Sequence, residues 1–273
     1  MPMGDPHPWW AWHAADVHPL RPLLRARFRA ALADPTDHAV GAVADLVVAG
    51  VGMVFLWALF HRAPDVAGWR GPEVLMVWGL TEMASGLCLC LFQGLWMQNQ
   101  RYVMTGDLDR LLVRPGDPLL SLLVEHLAPG HLALAFAGLC MVVAAGVALP
   151  PLPLAAWVAL PAVALGGAAL LGGMALVVSS VGLVVPHRGR TVGLVEQAAA
   201  FARYPLGVFP AWLAMLLVTI VPMGLVASLP VAAALGRAPM VWGLAPMVAG
   251  AAALGVGVVT WHLALRRYAS TGT

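Results

Sequence analysis

Residues 154–185 read LAAWVALPAVALGGAALLGGMALVVSSVGLVV, thirty-two positions without Asp, Glu, Lys, Arg or His. About 20 apolar residues cross the hydrocarbon of a bilayer as one helix, so this stretch must tilt, or kink at Pro161. The rest of the chain is written in the same way. Of 273 residues, 61% are hydrophobic and 10% charged, and the mean hydropathy is +0.84. An ordinary soluble domain carries about 25% charged residues, so the composition argues against a cytosolic globule and rules out disorder and collagen. The 22 Pro and 29 Gly are too many for a soluble helical bundle, whereas membrane helices tolerate both where neighbours satisfy the freed backbone groups. Cys88, Cys90 and Cys140 lie inside apolar runs; their odd number suggests no disulfide framework, and they are expected to be small core residues.

Five further crossings flank this one, which predicts an all-α polytopic membrane protein with six transmembrane helices. The first covers about residues 39–60, and a polar turn at 61–72 leads to the second at 73–97. After the polar stretch 98–117 comes a third segment, broken at Pro129-Gly130, whose most apolar part is 131–149 and whose first ten residues suit the membrane interface. Pro150, Pro151 and Pro153 make the stiff turn into the fourth. Beyond Thr191, Pro205, Pro210, Pro222 and Pro230 interrupt what hydropathy alone would score as one run. We read a fifth crossing at 191–207, a re-entrant pair of short helices at 209–230, and the sixth crossing at 240–265. A re-entrant element requires protein or a water-filled cavity around its exposed backbone.

The first 37 residues hold no apolar run long enough for a secretory signal and are expected to be a cytosolic start. Residues 20–33 read as an interfacial helix, with Arg21, Arg25 and Arg29 on one arc and Leu20, Leu23, Leu24, Phe28 and Ala31 on another. Arg27 interrupts the apolar arc and must snorkel. The membrane domain then occupies 38–273. With the N-terminus cytosolic, the inner side holds Arg21, Arg25, Arg27, Arg29, Arg101, Arg110, Arg114, Arg188, Arg190, Arg266 and Arg267, and the outer side only Arg62, Arg70 and Arg237. That positive-inside asymmetry places both termini inside a plasma membrane.

All 15 basic residues are Arg. Without Lys the chain cannot form a standard P-loop or a lysine Schiff base. No G-x-S-x-G elbow or H-E-x-x-H motif is present, so an integral-membrane enzyme ranks a distant third among functions. The nine His make no metal set, His126 and His131 at the Pro-Gly break included.

The densest polar information lies at 98–118. Thr105 or Asp107 can cap a short helix whose first turn carries Asp107 and Asp109 and whose end carries Arg110 and Arg114, matching the helix dipole. Pro115 stops it. Leu108, Leu111 and Leu112 form a narrow apolar ridge. That ridge fits a groove on a partner, or equally the bilayer surface or this chain's own helices.

Gly106-Asp107-Leu108-Asp109, with Leu112, Arg114 and Pro115, resembles the Gly-Glu-Leu-Asp-x-x-Leu-x-Arg-Pro signature in the cytosolic loop of a small six-span ABC-2-type permease family, with Asp107 in place of the usual Glu. Arg203-Tyr204-Pro205, Phe209-Pro210, Val221-Pro222 and Leu229-Pro230 resemble its later proline pattern, and Leu265-Arg266-Arg267-Tyr268 its close. The resemblance runs in order from the first crossing to the C-terminus. It implies an exporter subunit of the bacterial inner membrane with an N-terminal interfacial helix and extracellular re-entrant helices before the last span. It also implies a second permease of the same kind in a heterodimer and a separate ABC ATPase dimer that binds ATP and magnesium; no cofactor or nucleic acid is expected on this chain. Gly106, Asp107, Leu108, Asp109, Leu111, Leu112, Arg114 and Pro115 would then form the ATPase-coupling element, and the cargo would be hydrophobic or amphipathic.

Charges inside the crossings are costly and must face protein or water. Asp45 and Glu196 fall in the inner parts of the first and fifth crossings, and Glu82 and Arg203 nearer the middle of the second and fifth. If those two adjoin, Glu82 and Arg203 can pair. Gln93 shares a helix face with Glu82, a polar stripe suited to a cargo path. A structural ion pair is the first reading for Glu82 and Arg203, since buried pairs often set geometry. Asp45, Glu82 and Glu196 as proton carriers would suit the alternative function, an ion-driven secondary transporter, whose inverted repeats are not evident. Ala168 with Gly172, and Ala169 with Gly173, permit close helix contact, within the chain or across a dimer.

Overall fold

The computed structural model describes residues 35–98, 107–112, 116–184 and 192–267. In chain order the helices are α1 (Pro35–Arg62), α2 (Gly71–Met97), α3 (Asp107–Leu112), α4 (Pro118–Glu125), α5 (Leu132–Ala148), α6 (Leu154–Val184), α7 (Gly193–Ala202), α8 (Ala211–Thr219), α9 (Ser228–Ala234) and α10 (Ala245–Leu265). Short 3-10 turns lie at Pro129–His131, Leu206–Val208, Met223–Leu225 and Met240–Gly243. Five helical stretches, at Ala39–Arg62, Gly71–Met97, Pro129–Ala148, Leu154–Val184 and Ala245–Leu265, are long and apolar enough to cross a membrane. The pair Ala211–Thr219 and Met223–Ala234, bent by 78°, brings the number to six if counted as one span. The fold is thus a multi-pass helical membrane protein. The interfacial helix expected at 20–33 lies outside the described residues.

The fifth crossing departs from expectation. The helix of ten residues, Gly193–Ala202, is about 15 Å long and cannot cross about 30 Å of hydrocarbon alone. Pro205 denies Tyr204 the α conformation and Pro210 ends the next turn, so the backbone from 203 to 210 alternates extended and 3-10 geometry. Window hydropathy cannot register such breaks. By contrast α6 runs unbroken through Pro161.

The helices pack through glycine. On α2, Gly79 faces the backbone of Gly138 on α5, Gly86 faces Ala135, and Gly94 faces Leu122 of α4, so that a Cβ added at Gly79 or Gly94 would stand 2.7 Å from a carbonyl oxygen. α6 and α10 run parallel and touch backbone to backbone, Gly166 against Gly250 and Gly173 against Gly257. Gly172 takes the Phe92 ring of α2. The small-residue face of α6 is therefore consumed within the chain. α2 is central: 72% of its apolar window is buried, against 17% for α1.

Two clusters form the core. One, toward the end that carries α3 and α4, joins Leu95, Leu108, Leu122, Leu176 and Trp261; the other joins Trp69, Val77, Trp78, Val142 and Val231. A small hairpin caps the second end, Asp65–Val66 paired with Trp69–Arg70 across a turn with positive φ at Ala67 and Gly68. This two-residue ladder is the one β element among the described residues of an otherwise helical chain. The segment after α7 leaves from that hairpin and comes back to it. Gly207 lies beside Ala67 and Trp69, Val226 reaches Gly167 beside Ala84 midway down α2, and Arg237 returns to donate to the Gly68 carbonyl at 2.9 Å and to Glu73 at 2.6 Å, its guanidinium over the Trp69 ring. The Leu206 amide donates to Ser228 Oγ at 2.9 Å and joins the two limbs. Cys88 and Cys90 are buried as expected, while Cys140 is exposed; all three are free thiols.

Candidate functional site

Two places gather the polar side chains singled out in the sequence. The first is a cavity of about 350 Å³ among α1, α2, α5, α6 and α7, lined by Asp45, Glu82, Glu196 and Arg203 together with Ser85, Trp96 and apolar groups. Glu82 lies eleven residues into α2, about 16 Å from its start and so near mid-membrane. Its Oε1 accepts from Trp78 Nε1 and from Arg203 Nε, both at 2.8 Å, and its Oε2 is buried without a partner. Arg203 sits over the Trp78 ring, and the Thr81 hydroxyl lies 2.9 Å from both the Val77 and Ala202 carbonyls, which holds the end of α7 against α2. Proline again sets the geometry. Because α7 ends at Ala202, Arg203 leaves the helix where Glu82 waits.

Asp45 pairs with His131 Nδ1 at 2.7 Å, joining α1 to the start of α5. His131 follows the Pro129-Gly130 break and belongs to no motif, so nothing in the sequence signals this pairing. Glu196 is exposed at the mouth of the cavity rather than enclosed, since α7 lies on the outside of the bundle. Gln93 does not line the cavity; it points elsewhere on α2, its Oε1 buried without a partner.

The second place is the loop after α2. Gly106, Arg114 and Pro115 lie outside the described residues, as does the rest of 99–106. α3 is present over Asp107–Leu112. Leu108 and Leu111 are buried, 0% and 2% exposed, within this chain's own core, and Leu112 is exposed. Two of the three ridge leucines therefore seat the helix on its own bundle, and only Leu112 remains for a partner. Asp109 is half-buried.

Both flanks of the loop are fastened to adjacent residues of α10. Trp261 Nε1 donates to Gln98 Oε1 at 2.8 Å, and Gln98 reaches the Ser179 carbonyl of α6 at 3.5 Å. Asp117 Oδ2 lies 3.1 Å from His262 Nε2, while Asp117 Oδ1 accepts the Leu120 amide at 3.0 Å and caps α4. Burial works to raise the Asp117 carboxyl, but the bonds from His262 and the Leu120 amide outweigh it and hold the group below the usual carboxylate value. These clamps carry no motif in the sequence. A Trp-His pair near the end of an apolar run looks like an interfacial anchor until its partners, more than a hundred residues upstream, are known.

No group of three or more His, Cys, Asp or Glu among the described residues is arranged to hold a metal ion. No curated protein and no solved structure matches the chain. The profile of the family described as "ABC-2 family transporter protein" matches residues 46–272. It thus covers every helix from within α1 to the end of α10, the clamped loop and the cavity lining apart from Asp45, and this chain belongs to the ABC-2 transporter family.

Proposed function

We propose that this chain is the permease subunit of an ATP-driven exporter that moves a hydrophobic or amphipathic substrate, with ATP and magnesium bound by a separate ATPase dimer. The observation that carries the reading is the double clamp: Gln98 and Asp117, at the two flanks of the loop, are held by the neighbours Trp261 and His262. A force on α3 is therefore delivered to α10, and through the Gly173–Gly257 contact to α6. Gly106, Asp107, Asp109, Leu112, Arg114 and Pro115 would meet the ATPase, with Leu108 and Leu111 positioning that surface from behind. Lysine's absence supports an energy source on another chain.

In this reading the clamped end is cytosolic, as the arginine distribution argues, and the hairpin end is extracellular in a bacterial inner membrane. The 209–230 segment is re-entrant; that its two flanks, at Gly207 and Arg237, meet the same hairpin supports this. Residues 193–208 then make the fifth crossing as a broken span, and α10 is the sixth. A second permease subunit of the same kind completes the path, and the exposure of Glu196 supports a protein or aqueous neighbour there rather than lipid.

Reconstituting the chain with a second permease and an ABC ATPase in vesicles tests this. ATP-dependent movement of a lipophilic dye is expected, and movement by this chain alone without nucleotide would overturn it. One observation favours the ion-driven reading, the convergence of Asp45, Glu82 and Glu196 on one cavity. Collapsing the proton gradient with ATP present would stop only such a carrier.

A further inference from the structure

We infer that the cavity between α1, α2 and α7 binds the positively charged end of an organic amine, so that the exported substrate is a cationic amphiphile. This rests on the permease reading for its link to transport, but the binding itself does not. Three carboxylates, Asp45, Glu82 and Glu196, face the space against one guanidinium, Arg203. The formal charge of the lining is therefore net negative, and His131, which pairs with Asp45, is not part of it.

The charges are not all used up by one another. Arg203 and Trp78 both take Glu82 Oε1, leaving Oε2 without a partner on a side chain that is 1% exposed. Trp96 Nε1 is likewise buried and unpartnered in the same lining. Buried polar atoms are rarely left so, and the open acceptor on Glu82 is one that an ammonium N–H can fill. Glu196 makes no hydrogen bond or ion pair among the described residues and stands at the mouth, where an approaching cation meets it first.

A metal ion does not fit, because the carboxylates are too dispersed to coordinate one. An organic cation does. Leu89 and Leu171 supply apolar wall for its body, the indole of Trp96 is a surface on which ammonium groups rest well, and about 350 Å³ is at the small end of the range for small-molecule sites.

The test uses the full chain in nanodiscs of zwitterionic lipid and three probes with one carbon frame: 4-phenylbutylamine, 4-phenylbutan-1-ol and 4-phenylbutyrate. Calorimetric titration, corrected with empty discs, should give the amine an affinity about tenfold above the alcohol, or about 1.4 kcal/mol, and the acid weaker still. Glu196→Gln, an exposed isosteric change that spares folding, should bring the amine to the level of the alcohol, as should Asp45→Asn in part, while Asp65→Asn in the distant hairpin should leave the preference intact. Equal binding of the three probes, binding of none, or an amine preference that survives Glu196→Gln overturns the assignment. Neither nucleotide nor ATPase is present, so a negative result here leaves the permease reading standing. Failure of ATP-driven transport with cation binding intact would overturn that reading alone.

Discussion

Asp117 does two things with two oxygens, and substitutions separate them. Oδ1 caps α4 through the Leu120 amide and Oδ2 holds His262. Asp117→Ser keeps a capping oxygen but is too short to reach the imidazole, whereas Asp117→Ala loses both. An N-cap replaced by Ala costs about 0.5–2 kcal/mol. The link to His262 is part-open, with Asp117 32% exposed, and so is worth no more than about 1 kcal/mol. The serine variant should therefore lose at most about 1 kcal/mol of stability and the alanine variant about 0.5–3 kcal/mol. Both should raise the ATP consumed per molecule transported by the same factor, because both release the loop from α10. The assays are thermal unfolding of the purified chain and paired measurement of hydrolysis and dye efflux in vesicles. A serine variant with the wild-type ratio of hydrolysis to transport would refute the idea that force passes through this clamp. The clamp should also respond to acid. A carboxyl depressed in the folded state stabilises above its unfolded pKa, near about 3.9, and loses that contribution as pH falls from there through the folded value. The thermal midpoint should therefore fall on acidification below about pH 4, and Asp117→Asn should flatten that fall.

Leu111→Asp would bury a carboxylate in the chain's own core and should cost several kcal/mol, seen as loss of folded protein, whereas Leu112→Asp should leave the midpoint unchanged and weaken only ATPase association in a pull-down. At Gly257 a new Cβ would stand 2.7 Å from the Gly173 carbonyl, so Gly257→Ala should destabilise by about 1–3 kcal/mol. At Gly255 nothing lies within 4 Å, so Gly255→Ala should stabilise by up to about 1 kcal/mol; the two midpoints moving the same way would refute the packing. Arg203→Ala leaves the Glu82 carboxylate buried and unpaired and should cost about 3–5 kcal/mol, with Glu82→Gln in the same background recovering part of it in a double-mutant cycle.

What was legible in the sequence was whatever a long helix dictates. Long apolar runs located α1, α2, α5, α6 and α10 to within a few residues, because apolar length is the physical requirement for crossing lipid. The meeting of Glu82 and Arg203 was also within reach, since each is too costly to leave alone at that depth. The fate of α7 was not, because hydropathy averages over Pro205 and Pro210 and these decide where helix gives way to turn. Nor was the burial of Leu108 and Leu111, since a leucine ridge looks the same whether it meets a partner or its own bundle. The convergence of Asp45, His131 and Glu196 near Glu82, and the hold of Trp261 and His262 on the loop, depend on which helices are neighbours. Spacing along one helix carries no such information.

The bare-backbone contact of α6 with α10 has a mechanical meaning. Helices that meet through side chains can slip by exchanging rotamers, but Gly166 on Gly250 and Gly173 on Gly257 leave no rotamers to exchange. On the permease reading the two would move together as one stiff beam, carrying a shove at Trp261 along α6. Pliancy then has to reside elsewhere, in the sparsely packed α1 and the proline-broken stretch after Ala202, which are the walls that would open when cargo leaves.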